Sequence, residues 1–133
     1  MNEVNSSAAP AGNVATRIEA FVGREAISLN RTSGNNMARA RLVKARRGDT
    51  ALALRAAVGR RQRPVLPVRV TLTRIAPSSG LDEHDNLRGS LKPFADGVAD
   101  WLGVDDRDAR IEWRYSQERG QAHAVRIVVE ADQ

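Results

Sequence analysis

Residues 81–111 read LDEHDNLRGSLKPFADGVADWLGVDDRDARI, and the fold turns on what this stretch becomes. Wound at roughly 100° per residue from Asp85, it gathers Leu87, Leu91, Phe94, Val98, Trp101 and Leu102 into an arc of about 100°, the width of a core-facing stripe. Asp85, Gly89, Lys92 and Asp96 fall within about 60° of one another on the opposite side, flanked by Arg88 and Asp100. The predicted helix therefore has one face for the core and one for chemistry. Asp85 suits an N-cap, Pro93 predicts a kink or a restart because it lacks the helical donor, and Gly103 predicts the stop. Acidic clusters flank the helix, with Asp82, Glu83 and Asp85 before it and Asp105, Asp106 and Asp108 after it. They can meet only if the chain folds back after Gly103.

Just before this stretch, PVLPVRVTLTRIAP (64–77) alternates Val68, Val70 and Leu72 against Arg69, Thr71 and Thr73, as a half-buried strand does. Its end delivers Asp82 from a rigid support. Downstream, RIEWRYS (110–116) places Ile111, Trp113 and Tyr115 on one face, QERGQ (117–121) reads as a turn, and HAVRIVVE (123–130) carries Val125, Ile127 and Val129 inward. These two strands are predicted to form a hairpin. Upstream, VATRIEAFV (14–22) is a strand with Ile18, Ala20 and Val22 on one side, and SLNRTSGNN (28–36) is a loop. MARARLVKARRGDTALALRAAV (37–58) is one helix, or two broken near Gly48, with Asn36 as N-cap and Leu42, Val43, Leu52, Leu54 and Val58 as an imperfect apolar stripe. The expected class is α+β, a small mixed, largely antiparallel sheet of three to four strands with two main helices packed on it.

A chain of 133 residues suits one domain, expected over 14–133 behind a flexible tail at 1–13. Without cysteine it forms no disulfide and offers no thiolate to a metal, leaving oxygen ligands or His84 and His123. The first dozen residues are small and polar, neither secretory signal nor membrane span, so a cytoplasmic protein with no membrane partner is expected.

Charge is segregated. Arg24 to Arg63 holds eleven Lys or Arg against Glu25 and Asp49, whereas Asp82 to Glu112 holds nine acids against Arg88, Lys92, Arg107 and Arg110. A basic surface beside concentrated carboxylates is poorly explained by nucleic-acid binding alone, because carboxylates repel phosphate unless a cation lies between them. Both signs together suit a nuclease. Arg31, Arg39, Arg46, Arg47, Arg60, Arg61, Arg63 and Arg88 are the expected contacts to DNA. Trp101 and Trp113 lie on apolar faces and are expected in the core, and 4% aromatics disfavours stacking on single strands.

Phosphodiester hydrolysis needs an activated water and stabilised phosphoryl oxygens, which Mg²⁺ supplies when carboxylates from separate elements hold it. Taken singly, Asp85 reads first as a helix cap, and Asp105 and Asp106 as a polar loop, rather than as catalytic groups. As a converging set with Lys92 they would form a site, with Asp96, Asp105 and His84 as possible support.

The ordered set LDEHDNLRGSLKPFADGVADWLGVDD resembles the signature of the RusA-like endonucleases, the Holliday junction resolvases of phages and prophages. In that family a D-x-D-N-L segment precedes a Lys, a D-A-L-like helix and an Asp-Asp pair. The resemblance spans roughly residues 64 to 130. It implies a homodimer that uses Mg²⁺ or Mn²⁺, and no small-molecule cofactor, to cut branched double-stranded DNA. It also implies a metal site of Asp82, Asp85 and Asp106, with Lys92 assisting. The chain reads D-E-H-D where the family has D-x-D, so the first acid is Asp82 with an extra residue or Glu83 in register, Asp82 being favoured by side-chain type. Lys92 stands farther from Asp85 than the family spacing, an insertion. The competing expectation is a noncatalytic basic DNA-binding protein that retains the fold.

Overall fold

The alternating run upstream of the acidic stretch becomes the strand on which the sheet is built. The computed structural model describes residues 13–27, 36–78, 80 and 86–132. The first acidic cluster with His84, the loop carrying Arg31, and the expected tail except for Asn13 lie outside the described residues. In chain order the elements are β1 (Arg17–Val22), α1 (Asn36–Val58), β2 (Val68–Ala76), α2 (Arg88–Leu102), β3 (Ile111–Arg119) and β4 (Ala124–Ala131). The four strands form one sheet in the order β1-β4-β2-β3. β4 is antiparallel to both β1 and β2, while β3 runs parallel to β2, so the α+β class with a mixed, mainly antiparallel sheet holds.

The terminal hairpin does not form. β3 and β4 are separated by β2, to which each is hydrogen-bonded on its own side. The reason is the crossover: α2 carries the chain back so that β3 joins β2 in parallel, as a β-α-β connection requires, and β4 then enters between β2 and β1. The expected turn at 117–121 is displaced because β3 continues through Arg119, paired with Ala76. Gly120 then crosses the end of β2, its N–H donating to the Ala76 carbonyl at 3.0 Å. A Cβ there would sit 2.5 Å from Ile75 Cγ2.

Ile18, Ala20 and Val22 of β1, Val125, Ile127 and Val129 of β4 and Val68, Val70 and Leu72 of β2 are buried in one core with Leu54, Val58, Leu91, Phe94 and Val98 of the helices. The opposite face of the sheet carries exposed or partly exposed ion pairs, Arg17 with Glu130 and Arg69 with Glu112 among them. Such pairs contribute little stability.

α1 is a single helix that passes through Gly48. Its stripe differs from expectation: Leu52 is 62% exposed, Leu42 and Val43 are partly buried, and Thr50 is fully buried with Leu54 and Val58. Thr50 fits because it lies against Gly97 of α2 and donates its hydroxyl to the Arg46 carbonyl at 2.7 Å, which satisfies the buried polar atom. In α2 the whole expected stripe of Leu87, Leu91, Phe94, Val98, Trp101 and Leu102 is buried. Pro93 neither breaks nor restarts the helix. The carbonyl it leaves without a helical donor belongs to Gly89, which is partly exposed and open to water. Among the described residues no helix is long and apolar enough to cross a membrane.

Candidate functional site

The end of α2 determines where the second acidic cluster goes. Gly103 takes the left-handed conformation at φ 77°, and the N–H groups of Gly103 and Val104 bond to the carbonyls of Asp100 and Ala99. This double closure reverses the chain and satisfies orphan helix carbonyls. Arg63 adds a further cap, its Nη1 donating to the Trp101 carbonyl at 2.6 Å. Replacing Gly103 by Ala places a Cβ in the left-handed region and is expected to cost about 1–2 kcal/mol, measured by urea unfolding.

Within the reversed loop the three aspartates do different things. Asp105 Oδ1 accepts the Arg107 N–H at 2.8 Å, and Asp108 Oδ1 accepts the Arg110 N–H at 2.9 Å, both side chains closing local turns. Asp106 points back along α2 instead. Lys92 Nζ donates to Asp106 Oδ2 at 2.6 Å and to Asp96 Oδ1 at 2.8 Å. Trp113 of β3 fixes the loop from below, its indole N–H donating to the Asp106 carbonyl at 2.9 Å. Lys92, Asp96 and Asp106 are thus brought together on the face opposite the core.

The cleft around them, about 410 Å³, is lined by Lys92 and Arg47 against Asp96, Asp100, Asp105 and Asp106. Two cations face four carboxylates in the lining, and Arg107 pairs with Asp105 beside it, so the cluster keeps one negative charge in excess. A wider groove of about 760 Å³ along α1 shares Arg47 and Asp100 but otherwise presents Arg39 and Lys44, a lining of the wrong sign for a cation. Partial burial is the largest single influence on Lys92 and acts to lower its pKa. The hydrogen bonds to Asp106 and Asp96 and their charge together outweigh it, holding the ammonium above its ordinary value. The Arg47 guanidinium, hydrogen-bonded to Asp100, lowers that carboxyl, and Arg107 does the same to Asp105 through its backbone and side chain.

Asp108 is held down to about 2 by the side chain and backbone of Arg110. With its folded value below the ordinary 3.8, the stability it contributes is present above about pH 4 and is lost as pH falls through 2. Asp108→Asn is therefore expected to flatten the fall of Tm between pH 4 and 2, read by thermal unfolding across that range.

Asp96 and Asp106 share one ammonium and are not by themselves a divalent-cation site. Among the described residues no group of three or more carboxylate, His or Cys side chains is arranged to hold a metal. The donors that would complete such a set, Asp82 and Asp85, lie outside the described residues, as do Glu83 and His84.

Several arginines expected to meet DNA have structural partners. Arg61 donates to the carbonyls of Val58 and Ala57 and caps α1, Arg63 caps α2, and Arg47 forms a two-bond tether to Asp100. Arg46 is mostly buried, 3.9 Å from Asp49. Arg60 is exposed, and the exposed Arg88 stands over the Tyr115 ring at 5.1 Å. Trp113 and Tyr115 were not expected at the site. The signal for Trp113 was its indole N–H, which needs an acceptor even on an apolar face.

No protein-family model matches this chain, and a search of curated proteins finds no match. Function has to be read from the site.

Proposed function

We propose that the protein is a metal-dependent endonuclease of the RusA type, hydrolysing phosphodiester bonds in branched DNA such as four-way junctions during recombination or repair. The observation that carries the reading is the return of Asp106 to Lys92 and Asp96 at the far end of the helix that begins beside the D-E-H-D segment. In this reading Asp82, Asp85 and Asp106 hold Mg²⁺, or Mn²⁺, and a bound ion supplies water activation and charge stabilisation at the phosphoryl group. Asp96 keeps Lys92 charged and aimed across the cleft, and Lys92 neutralises charge on the phosphate. The exposed Arg60 and Arg88 meet the DNA backbone. A homodimer with two equivalent sites suits a two-fold junction, and the setting is the cytoplasm of a bacterial or phage-infected cell.

One observation favours a noncatalytic DNA-binding protein: Lys92 itself sits between Asp96 and Asp106 and already neutralises them. The two readings separate on a synthetic four-way junction incubated with and without Mg²⁺. Cleavage that appears only with the metal, on the junction and not on linear duplex, supports the nuclease. Salt-sensitive binding with no cleavage supports the rival.

A further inference from the structure

Arg74 occupies a position that a strand seldom gives to a cation. It lies on the helix-facing side of β2, in line with Val68, Val70 and Leu72, and is only 6% exposed. Its Nε is buried and makes no hydrogen bond, and among the described residues its Nη2 reaches Ser78 Oγ, at 3.4 Å. Among the described residues no carboxylate lies within ion-pair distance of it. Against the described residues alone, a buried guanidinium in this state costs stability, which a bound anion would offset.

The surroundings identify the kind of partner. Arg74 lines a cleft of about 250 Å³ at the C-terminal ends of the parallel pair β2 and β3, together with Ser78, Gly80, Gln117, Glu118 and Arg119. Arg119 is held at the rim, its Nε donating to the Pro77 carbonyl at 3.2 Å. The Glu118 carboxylate is engaged by Arg126. Among the described residues the cleft thus offers two guanidinium groups, a hydroxyl and the Gln117 amide, with its one carboxylate already paired. Gln117 is the register partner of Arg74 and stands two residues beyond Tyr115 on the same strand, roughly 6.6 Å farther along. Tyr115 in turn lies within electrostatic reach of Arg88, Lys92, Asp106 and Asp96. The cleft therefore lies on β3 next to Tyr115, the residue through which that strand faces the Lys92 cluster.

We propose that this cleft is a phosphate subsite, in which Arg74 at the floor and Arg119 at the rim hold the phosphoryl oxygens of a DNA strand that continues into the Lys92 cluster. The oxyanion chemistry rests on the cleft alone, because planar guanidinium groups bind phosphate oxygens in pairs. The source of the phosphate rests on the nuclease reading.

Two measurements on Arg74→Met, Arg74→Lys and the wild type test it. The first is thermal unfolding in sodium phosphate against sodium chloride at matched ionic strength. Phosphate is expected to raise the Tm of the wild type and not of Arg74→Met, whose Tm in chloride equals or exceeds that of the wild type. Arg74→Lys keeps the charge without the fork, folds, and loses most of the phosphate response, so a readout survives if the Met variant unfolds. The second is four-way junction binding in EDTA across a salt series. Arg74→Met is expected to bind about tenfold more weakly, with a log–log salt slope shallower by about 0.9, one phosphate contact.

A phosphate response that depends on Arg74 with no change in junction binding overturns the DNA source and assigns the cleft to free phosphate. A wild type that binds but never cuts, while the slope still changes, overturns the nuclease reading and leaves the subsite standing. Equal phosphate response and equal slope in wild type and variants overturn the inference itself.

Discussion

Asp106→Asn is expected to abolish Mg²⁺-dependent cleavage of a four-way junction while junction binding in EDTA stays close to wild type. The substitution keeps the shape of the side chain and its backbone carbonyl, which accepts the Trp113 indole N–H, so the loop has no reason to move. It removes the charge that Lys92 meets at 2.6 Å and the one described acid of the proposed metal set. Losing an outer partner of a metal site costs about 10- to 100-fold in activity, and losing a ligand exceeds that. A variant that cuts at the wild-type rate would remove Asp106 from the chemistry. Because Lys92 then keeps only Asp96, its raised pKa is also expected to fall, which ¹⁵N-detected NMR of the lysine ammonium can follow.

Gly97→Ala is expected to produce the largest loss of stability among the changes considered. A Cβ at Gly97 would lie 2.6 Å from Thr50 Cβ and 2.7 Å from the Arg47 carbonyl oxygen. Neither contact is relieved by a rotamer change, since a Cβ is fixed by its backbone and the carbonyl is backbone, so α1 and α2 must move apart. Overpacking of this kind costs about 1–3 kcal/mol, seen as a Tm lower by several degrees. Thr50→Ala in the same chain should leave most of the loss in place, since the Cβ at 50 and the Arg47 carbonyl both remain. The consequence reaches the cleft, because the residue whose carbonyl is pushed is also the one that ties α1 to Asp100. Equal stability of Gly97→Ala and wild type would contradict the close crossing of the helices.

The parts of the fold that local periodicity encodes were legible before any coordinates. The 3.6-residue stripe of α2 and the alternation of β2 mark residues that are all buried, and Gly103 ends its helix as its freedom at positive φ suggests. Pairing was not legible. Nothing local to RIEWRYS or HAVRIVVE says that β2 lies between them, since parallel pairing depends on a crossover dozens of residues long. Composition did not show how the exposed basic surface is anchored. Arg61 and Arg63 read as part of a cationic run, yet both guanidinium groups cap helix carbonyls, a use that depends on where two helices end in space.

For the site, the return of Asp106 to the face of Lys92 and Asp96 was a condition the spacing could pose and only geometry could meet. Arg74 is legible in the sequence as well. The alternation that places Val68, Val70 and Leu72 inward places Arg74 inward too, and a charge on the core side of a strand is the exception that asks for a reason.

In the proposed function Asp106 folds back to complete a metal site rather than only a salt bridge. Mn²⁺ binding followed by electron paramagnetic resonance, on wild type and Asp106→Asn without DNA, reads this directly. The site described here requires saturable Mn²⁺ binding by the wild type and an affinity at least about tenfold weaker in the variant. Equal Mn²⁺ binding by the two proteins, or none by the wild type, would contradict it.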